Sequence, residues 1–280
     1  MVNLTSILVQ FKLMKQQLLL IKLGGSIITD KNKSLPTLKT SIIKRISQQL
    51  KNIYQSGKYQ IILIHGAGSY GHPLAKKYNL HLGMKTREQK CGFCLTDHSM
   101  LRLNSIIMDY LLQASIPAVS LPPRSFITQS GGKLQDFNYH LIKSYLAQNQ
   151  IPVLFGDVVL DNKWGCSIIS GDTIVSYLAK NLKADLVIFL SDVDGIFDSD
   201  PKKNPKAKLI PEVTDKNLKQ VLQGLTTNNQ NDVTGEMQGK IMAIKNNLAH
   251  IPVYIINGLK AENLAKTVEQ VQVGTKLLFR

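Results

Sequence analysis

His65-Gly66-Ala67-Gly68-Ser69-Tyr70-Gly71-His72 follows directly on the apolar run Ile61-Ile62-Leu63-Ile64. The run reads as a buried strand. Glycines at 66, 68 and 71, on a strand-to-helix turn, let backbone N–H groups approach an anion with no Cβ in the way. A second stretch repeats the arrangement: the apolar strand Leu18-Leu19-Leu20-Ile21 runs into Lys22-Leu23-Gly24-Gly25-Ser26. Either loop alone would fit a tight turn that uses glycine for steric reasons. Two of them in matched strand context, each beside a basic or titratable residue, point to a site for two phosphate groups.

Outward from these loops, strand-like and helical stretches alternate. A helix is expected near 39–56, others near 71–79 and 92–115, and a short run at Ile116-Pro117-Ala118-Val119-Ser120. A helix near 139–148 precedes Ile151-Pro152-Val153-Leu154-Phe155. Polar-apolar alternation over 158–169 predicts an antiparallel hairpin turning at Asp161-Asn162-Lys163. Then come a helix near 172–182, the strand Leu186-Val187-Ile188-Phe189-Leu190, helices near 215–223 and 236–248, the strand Val253-Tyr254-Ile255-Ile256 and a helix near 261–270. Such alternation implies right-handed crossovers and a three-layer αβα sandwich around a mainly parallel sheet. Ligands then sit beyond the carboxyl ends of the strands, where the glycine-rich loops 24–26, 66–71 and 156–157 all fall. The expected organisation is an N-terminal extension over 1–17, a lobe over 18–184 and a lobe over 185–280 on one continuous sheet. Residues 1–17 contain no acidic residue and no Arg; Met14, just before the first strand, is a candidate start.

Composition narrows the classes. The 280 residues are 44% hydrophobic and 19% charged, enough for a large core. No apolar run approaches the roughly 20 residues that cross a bilayer, so a soluble, cytoplasmic protein is expected and a membrane is not an expected partner. A net charge of +15 fits anionic ligands. The lysines are scattered rather than interleaved with aromatics, so nucleic acid is not an expected partner either. Three cysteines give no disulfide framework and fit a reducing compartment. Cys91-x-x-Cys94, with His98 on the same helical face, lacks a second pair; helix packing is the expected role, and no metal site is expected.

The charged residues near the strand ends define the chemistry: Lys22, Lys31, His72, Asp172, Asp192, Asp194 and Lys240. Moving a phosphoryl group onto another anion brings two negative clusters together. At about 4 Å two unit charges repel by roughly 4 kcal/mol at an intermediate dielectric, so fixed cations must offset them. Lys22 at the mouth of its loop suits that task. Lys240, near the start of a helix that follows Thr234-Gly235, suits it too, with the helix dipole adding positive potential. Asp172, after Ser170-Gly171, is placed either to fix the two lysines or to cap its helix. Asp194 reads equally as a nucleotide contact or as a turn residue before Gly195.

These motifs resemble the amino acid kinase family, and within it the branch that phosphorylates isopentenyl phosphate. The resemblance runs from about Leu18 to Gly274. It is carried by Lys22-Leu23-Gly24-Gly25-Ser26, Ser170-Gly171-Asp172 and Asp192-Val193-Asp194-Gly195, with His65 to His72 as the mark of the branch. It implies ATP as phosphoryl donor, with Mg²⁺ carried by the nucleotide, a small-molecule acceptor and a homodimer. Lys22 and Lys240 would contact the transferring group, with Asp172 organising them and Lys31 adding charge. Gly24, Gly25, Ser26 and Ala67 would cradle the ATP phosphates, and Asp192, Asp194, Gly195 and Gly235 would border the nucleotide. Gly66, Gly71, His72 and Gly171 would hold the acceptor phosphate. Phe93, Val158 and Ile168 would line the pocket for the acceptor's tail, with Cys94 and Thr96 leaving room for a longer one. Where the family commonly has Gly-Gly-Met this chain has Gly235-Glu236-Met237. A phosphonate acceptor such as fosfomycin, or nucleotide and oxyanion binding without turnover, is a further reading of the same residues.

Overall fold

The computed structural model describes residues 16–30, 35–199, 201, 204–226 and 233–280. Strand β1 (Gln17–Leu23) runs into the short helix α1 (Gly25–Ile28), and the small ribbon β2 (Thr29–Asp30) and β3 (Thr37–Leu38) follows. Helix α2 (Thr40–Gln55) leads to β4 (Tyr59–His65), and α3 (Gly68–Lys77) and the long α4 (Arg87–Gln113) come next. β5 (Ala118–Ser120), β6 (Ile127–Ser130) and β7 (Lys133–Phe137) precede α5 (His140–Ala147). β8 (Ile151–Phe155), the hairpin β9 (Asp157–Asp161) and β10 (Gly165–Ile169), α6 (Gly171–Leu182) and β11 (Leu186–Ser191) complete the first two thirds. The remainder holds β12 (Glu212–Val213), α7 (Leu218–Thr226), α8 (Val233–Asn247), β13 (Val253–Asn257), α9 (Asn263–Val268) and β14 (Thr275–Leu277).

Eight strands form one sheet in the order β12-β14-β13-β11-β1-β4-β8-β5. All neighbours are parallel except β13 and β14. β1, β4 and β8 are almost continuously buried because both sheet faces are covered, which explains their unbroken runs of Leu, Ile and Val. Ile21, Leu63, Ile43, Ile46 and Leu103 pack on one face; Leu20, Ile62, Ile174, Leu178 and Ile244 pack on the other. The three-layer αβα sandwich around a mainly parallel sheet is therefore the observed architecture.

The elements depart from expectation in a few places. A second sheet of four strands, β10-β9-β6-β7, includes the ribbon β6/β7, whose short mixed-polarity strands carry little periodic signal. Helix α8 begins at Val233, so Gly235 lies inside it rather than before it, and Lys240 is at mid-helix. Ser170, not Asp172, caps α6: its hydroxyl accepts from the Thr173 N–H at 3.0 Å. Cys91 and Cys94 are exposed on α4, so they do not pack the helix into the core. Among the described residues no group of three or more His, Cys, Asp or Glu is spaced to hold a metal ion, and no helix is long and apolar enough to cross a membrane.

Candidate active site

The sheet changes direction of construction at its middle. From β1 the chain adds β4, then the edge strand β5, then β8 between them, and returns to add β11 and β13 on the other side. A crevice opens beyond the carboxyl ends of the strands at such a point. Both glycine loops open there. The Gly24 N–H donates to Leu190 O at 2.9 Å, and the Gly66 N–H donates to Leu23 O at 2.9 Å, so each loop is anchored to the strand beside it.

The two loops lie back to back. A Cβ on Gly25 would stand 2.6 Å from Gly68 N, and one on Gly66 would stand 2.7 Å from Gly25 N. Real Cβ atoms do not approach backbone that closely, so glycine at both positions is what allows the contact. Thr29 ties the loops a second time: its hydroxyl donates to Gly25 O at 2.8 Å and accepts from the Ser69 N–H at 3.0 Å. Among the described residues the Ala67 N–H meets no protein acceptor. Short helices begin at Gly25 and Gly68, which adds positive potential on the same side.

Beside the loops sits an ion triad. Lys22 Nζ lies 2.9 Å from Asp172 Oδ1, and Lys240 Nζ lies 3.2 Å from Asp172 Oδ2. The side chains of Lys22, Lys240 and Asp172 are 14%, 20% and 39% exposed, so the triad faces an opening rather than the core. Burial opposes ionisation of Asp172, but the two ammonium groups outweigh it and hold the carboxyl below its usual range. Lys240 Nζ also stands 4.8 Å from the Phe189 ring centroid, and Phe189 is the β11 residue in register with Lys22. With Ser170 as the cap, the Asp172 carboxylate is left to the lysines.

His72 lies near the start of α3 and is exposed; Gly71 on the same turn is buried against Ala67 and Met100. Gly171 opens α6 next to Lys22, whose Cε a Cβ on residue 171 would meet at 3.5 Å. Asp194 is paired at the surface with residues of the same chain: Lys260 Nζ lies 2.7 Å from its Oδ1, and Asn257 Nδ2 donates to the same oxygen at 3.0 Å. These partners hold its carboxyl below the usual range, and Lys260 had no mark in the sequence. Asp192 is exposed at the end of β11, and Gly195 adopts φ +147° against Thr275. Lys31 lies outside the described residues, as do the side chains of residues 233–236, Glu236 among them.

A separate apolar cluster lies next to α3. Val158, Ala75, Leu80 and Cys166 are buried together, with Tyr78, Met84 and Phe93 packed against them. Phe93 thus packs against the cluster that contains Val158. Ile168 is Val158's cross-strand partner but is 41% exposed, at the rim. Cys94 is exposed and stands outside this cluster; Thr96 is buried and donates back to Gly92 O at 2.8 Å. Cys166 was missed, although its alternation with Ile168 across from Val158 would have marked it.

Asp157, also unmarked in the sequence, follows the loop glycine Gly156 and is buried. Its Oδ1 accepts from the Val158 N–H at 2.8 Å and its Oδ2 has no partner. Burial pushes this carboxyl up to about 7; nearby Asp97 adds to the rise, and Arg124, ion-paired with Asp97, opposes it.

The comparisons with known proteins agree with this geometry. The amino acid kinase family pattern matches residues 17–257, and the chain belongs to that family. Relatives over nearly the whole length include isopentenyl phosphate kinases and, at 27% identity, glutamate 5-kinase from Streptococcus pneumoniae, of which 68% is covered. The isopentenyl phosphate kinase from Methanocaldococcus jannaschii is 40% identical over 270 residues, covering 94% of this chain and 99% of the relative. The one from Methanothermobacter thermautotrophicus is 37% identical over 230 residues, covering 80% and 84%. A solved isopentenyl phosphate kinase structure superposes with a TM-score of 0.80 at 31% identity, covering 93% of this chain and 99% of the other.

Proposed function

We propose that this chain transfers the γ-phosphoryl group of ATP to isopentenyl phosphate, giving isopentenyl diphosphate and ADP, by direct in-line displacement with no covalent enzyme intermediate. The observation that carries the reading is Asp172 holding Lys22 and Lys240 to one point, beside two glycine loops joined backbone to backbone. Two anions need that arrangement: one set of N–H donors each, and shared cations between them.

In this reading Lys22 and Lys240 contact the transferring group as charge spreads over its oxygens, and Asp172 keeps their ammonium groups converged. Lys31 adds charge from the segment after β2. The loop Gly24 to Ser26, with Ala67, holds the ATP phosphates; Asp192, Asp194, Gly195 and Gly235 border the nucleotide. Gly66, Gly71, His72 and Gly171 hold the acceptor phosphate. A phosphate monoester loses its second proton near pH 6, so at neutral pH the attacking oxygen is already ionised. A positioned donor is then enough, and the His72 imidazole supplies one without acting as base. The described residues offer no carboxylate cage, so Mg²⁺ is assigned to the nucleotide's own oxygens. The prenyl tail is assigned to the Phe93–Val158–Cys166 cluster, whose apolar lining favours a hydrocarbon over a small polar epoxide such as fosfomycin. We place the protein in the cytoplasm and as a homodimer, the latter open to light scattering.

The test is ADP release with isopentenyl, dimethylallyl and geranyl phosphates and with fosfomycin. Isopentenyl phosphate is expected to turn over fastest; turnover of fosfomycin alone would overturn the assignment. Phe93→Ala is expected to raise geranyl phosphate turnover relative to isopentenyl phosphate, because it opens the wall of the cluster.

A further inference from the structure

We infer that His65 is a positioning residue that sets the plane of the Gly66–Ala67 peptide and so keeps the Ala67 N–H turned toward the phosphate cleft. The inference rests on the reading of that cleft as a phosphate site. His65 ends β4 and is fully buried, stacked on Phe155 at 5.1 Å between centroids. Its Nδ1 lies 3.1 Å from Gly66 O, and its Nε2 lies 3.3 Å from Asn104 Oδ1. Asn104 Nδ2 in turn lies 2.5 Å from Ser120 Oγ, so a polar chain runs from the glycine loop through α4 to β5.

The protonation of the ring follows from its surroundings. Burial lowers its pKa to about 4, so the imidazole is neutral at working pH and donates from one nitrogen only. Gly66 O can only accept, which puts the proton on Nδ1. Nε2 must then accept, which requires the Asn104 amide to be turned over from its orientation in the structure, where Oδ1 faces the ring and Nδ2 faces Ser120 Oγ, so that the NH₂ meets the ring and the oxygen meets the Ser120 hydroxyl. With the amide so turned, each of the three contacts pairs one donor with one acceptor.

The consequence lies on the far side of the peptide. In a planar trans peptide the C=O and the next N–H point in opposite directions. With Gly66 O drawn to the buried ring, the Ala67 N–H points away from it. That N–H meets no acceptor among the described residues, and Ala67 is only half-buried. A donor held open in this way costs free energy unless water or an anion meets it.

Three variants separate positioning from packing. In His65→Asn the amide nitrogen takes the place of Nδ1; His65→Gln puts its amide near Nε2; His65→Phe keeps the ring stack and donates nothing. ATP affinity is read by titration calorimetry, which needs no acceptor, alongside turnover and melting temperature. His65→Asn is expected to keep ATP affinity within about threefold of wild type, while Gln and Phe lose on the order of tenfold, the scale of one hydrogen bond to a charged group. If His65→Phe does not fold, Asn104→Leu releases Nε2 instead and is expected to weaken ATP binding several-fold. ATP affinity unchanged in His65→Phe or Asn104→Leu, or lost equally in His65→Asn and His65→Phe at matched melting temperature, would overturn the inference. A wild-type chain that binds ATP yet leaves isopentenyl phosphate untouched defeats the proposed function alone, and the calorimetric comparison still decides the role of His65.

Discussion

Replacing Asp172 by Asn removes the charge that Lys22 and Lys240 converge on, at 2.9 and 3.2 Å. The two ammonium groups then repel, and the cations lose their fixed geometry before any ligand arrives. Turnover is expected to fall on the order of 10²-fold with a small change in melting temperature; equal activity in steady-state assays would contradict the triad's role. Asp157 gives a different prediction. Its folded pKa, about 7, lies above the unfolded value, so the folded chain keeps a proton that the unfolded chain releases from about pH 4 upward. Stability therefore falls as pH rises through that window. Asp157→Asn, which mimics the protonated form, is expected to gain on the order of 3 °C in melting temperature at pH 8, less at pH 5 and nothing below about pH 4. The two aspartates also differ in legibility. Asp172 was visible because Ser-Gly-Asp opens a helix after a strand-like hairpin. Asp157 looked like any strand-start residue, since only the approach of Asp97 and Arg124 from elsewhere in the chain makes its surroundings unusual.

At the level of elements, the hairpin β9/β10 is held by one side chain. Asp161, buried at its turn, accepts from the N–H groups of Gly131, Gly132, Lys163 and Trp164 at 2.8 to 2.9 Å. Burial alone would raise its pKa, but these donors hold the carboxyl far below the usual range. Asp161→Ala is expected to destabilise the fold by about 3 kcal/mol in denaturant titration, because four donors lose their acceptor and the β6/β7 turn loses its tie. A folded pKa below the unfolded one means this contribution is present above about pH 4 and is lost on acidification. The hairpin itself was legible from alternation around Asp161-Asn162-Lys163. Its attachment to β6/β7 was not, because those strands are short and polar, and their register shifts between Thr128 and Gln129. The start of α8 was misplaced for a related reason: Gly235 reads as a helix boundary, yet the helix runs through it from Val233.

For the whole molecule, the mainly parallel sheet and the glycine loops at strand ends followed from the alternation of apolar runs and helices; the strand order did not. The pairing of β14 antiparallel to β13 had no comparable signal, since Thr275–Leu277 is a three-residue strand. A net charge of +15 surrounds a cleft for anions, so raising salt from about 50 to about 300 mM is expected to increase the KM for ATP several-fold while kcat changes little. The abutting loops carry a last consequence. Gly25 and Gly68 share a contact that no side chain cushions, so a ligand that orders one turn orders its neighbour as well. Nucleotide and acceptor should therefore bind synergistically: a non-hydrolysable ATP analogue tightens the acceptor, and the acceptor tightens the analogue by the same factor, as thermodynamic reciprocity requires.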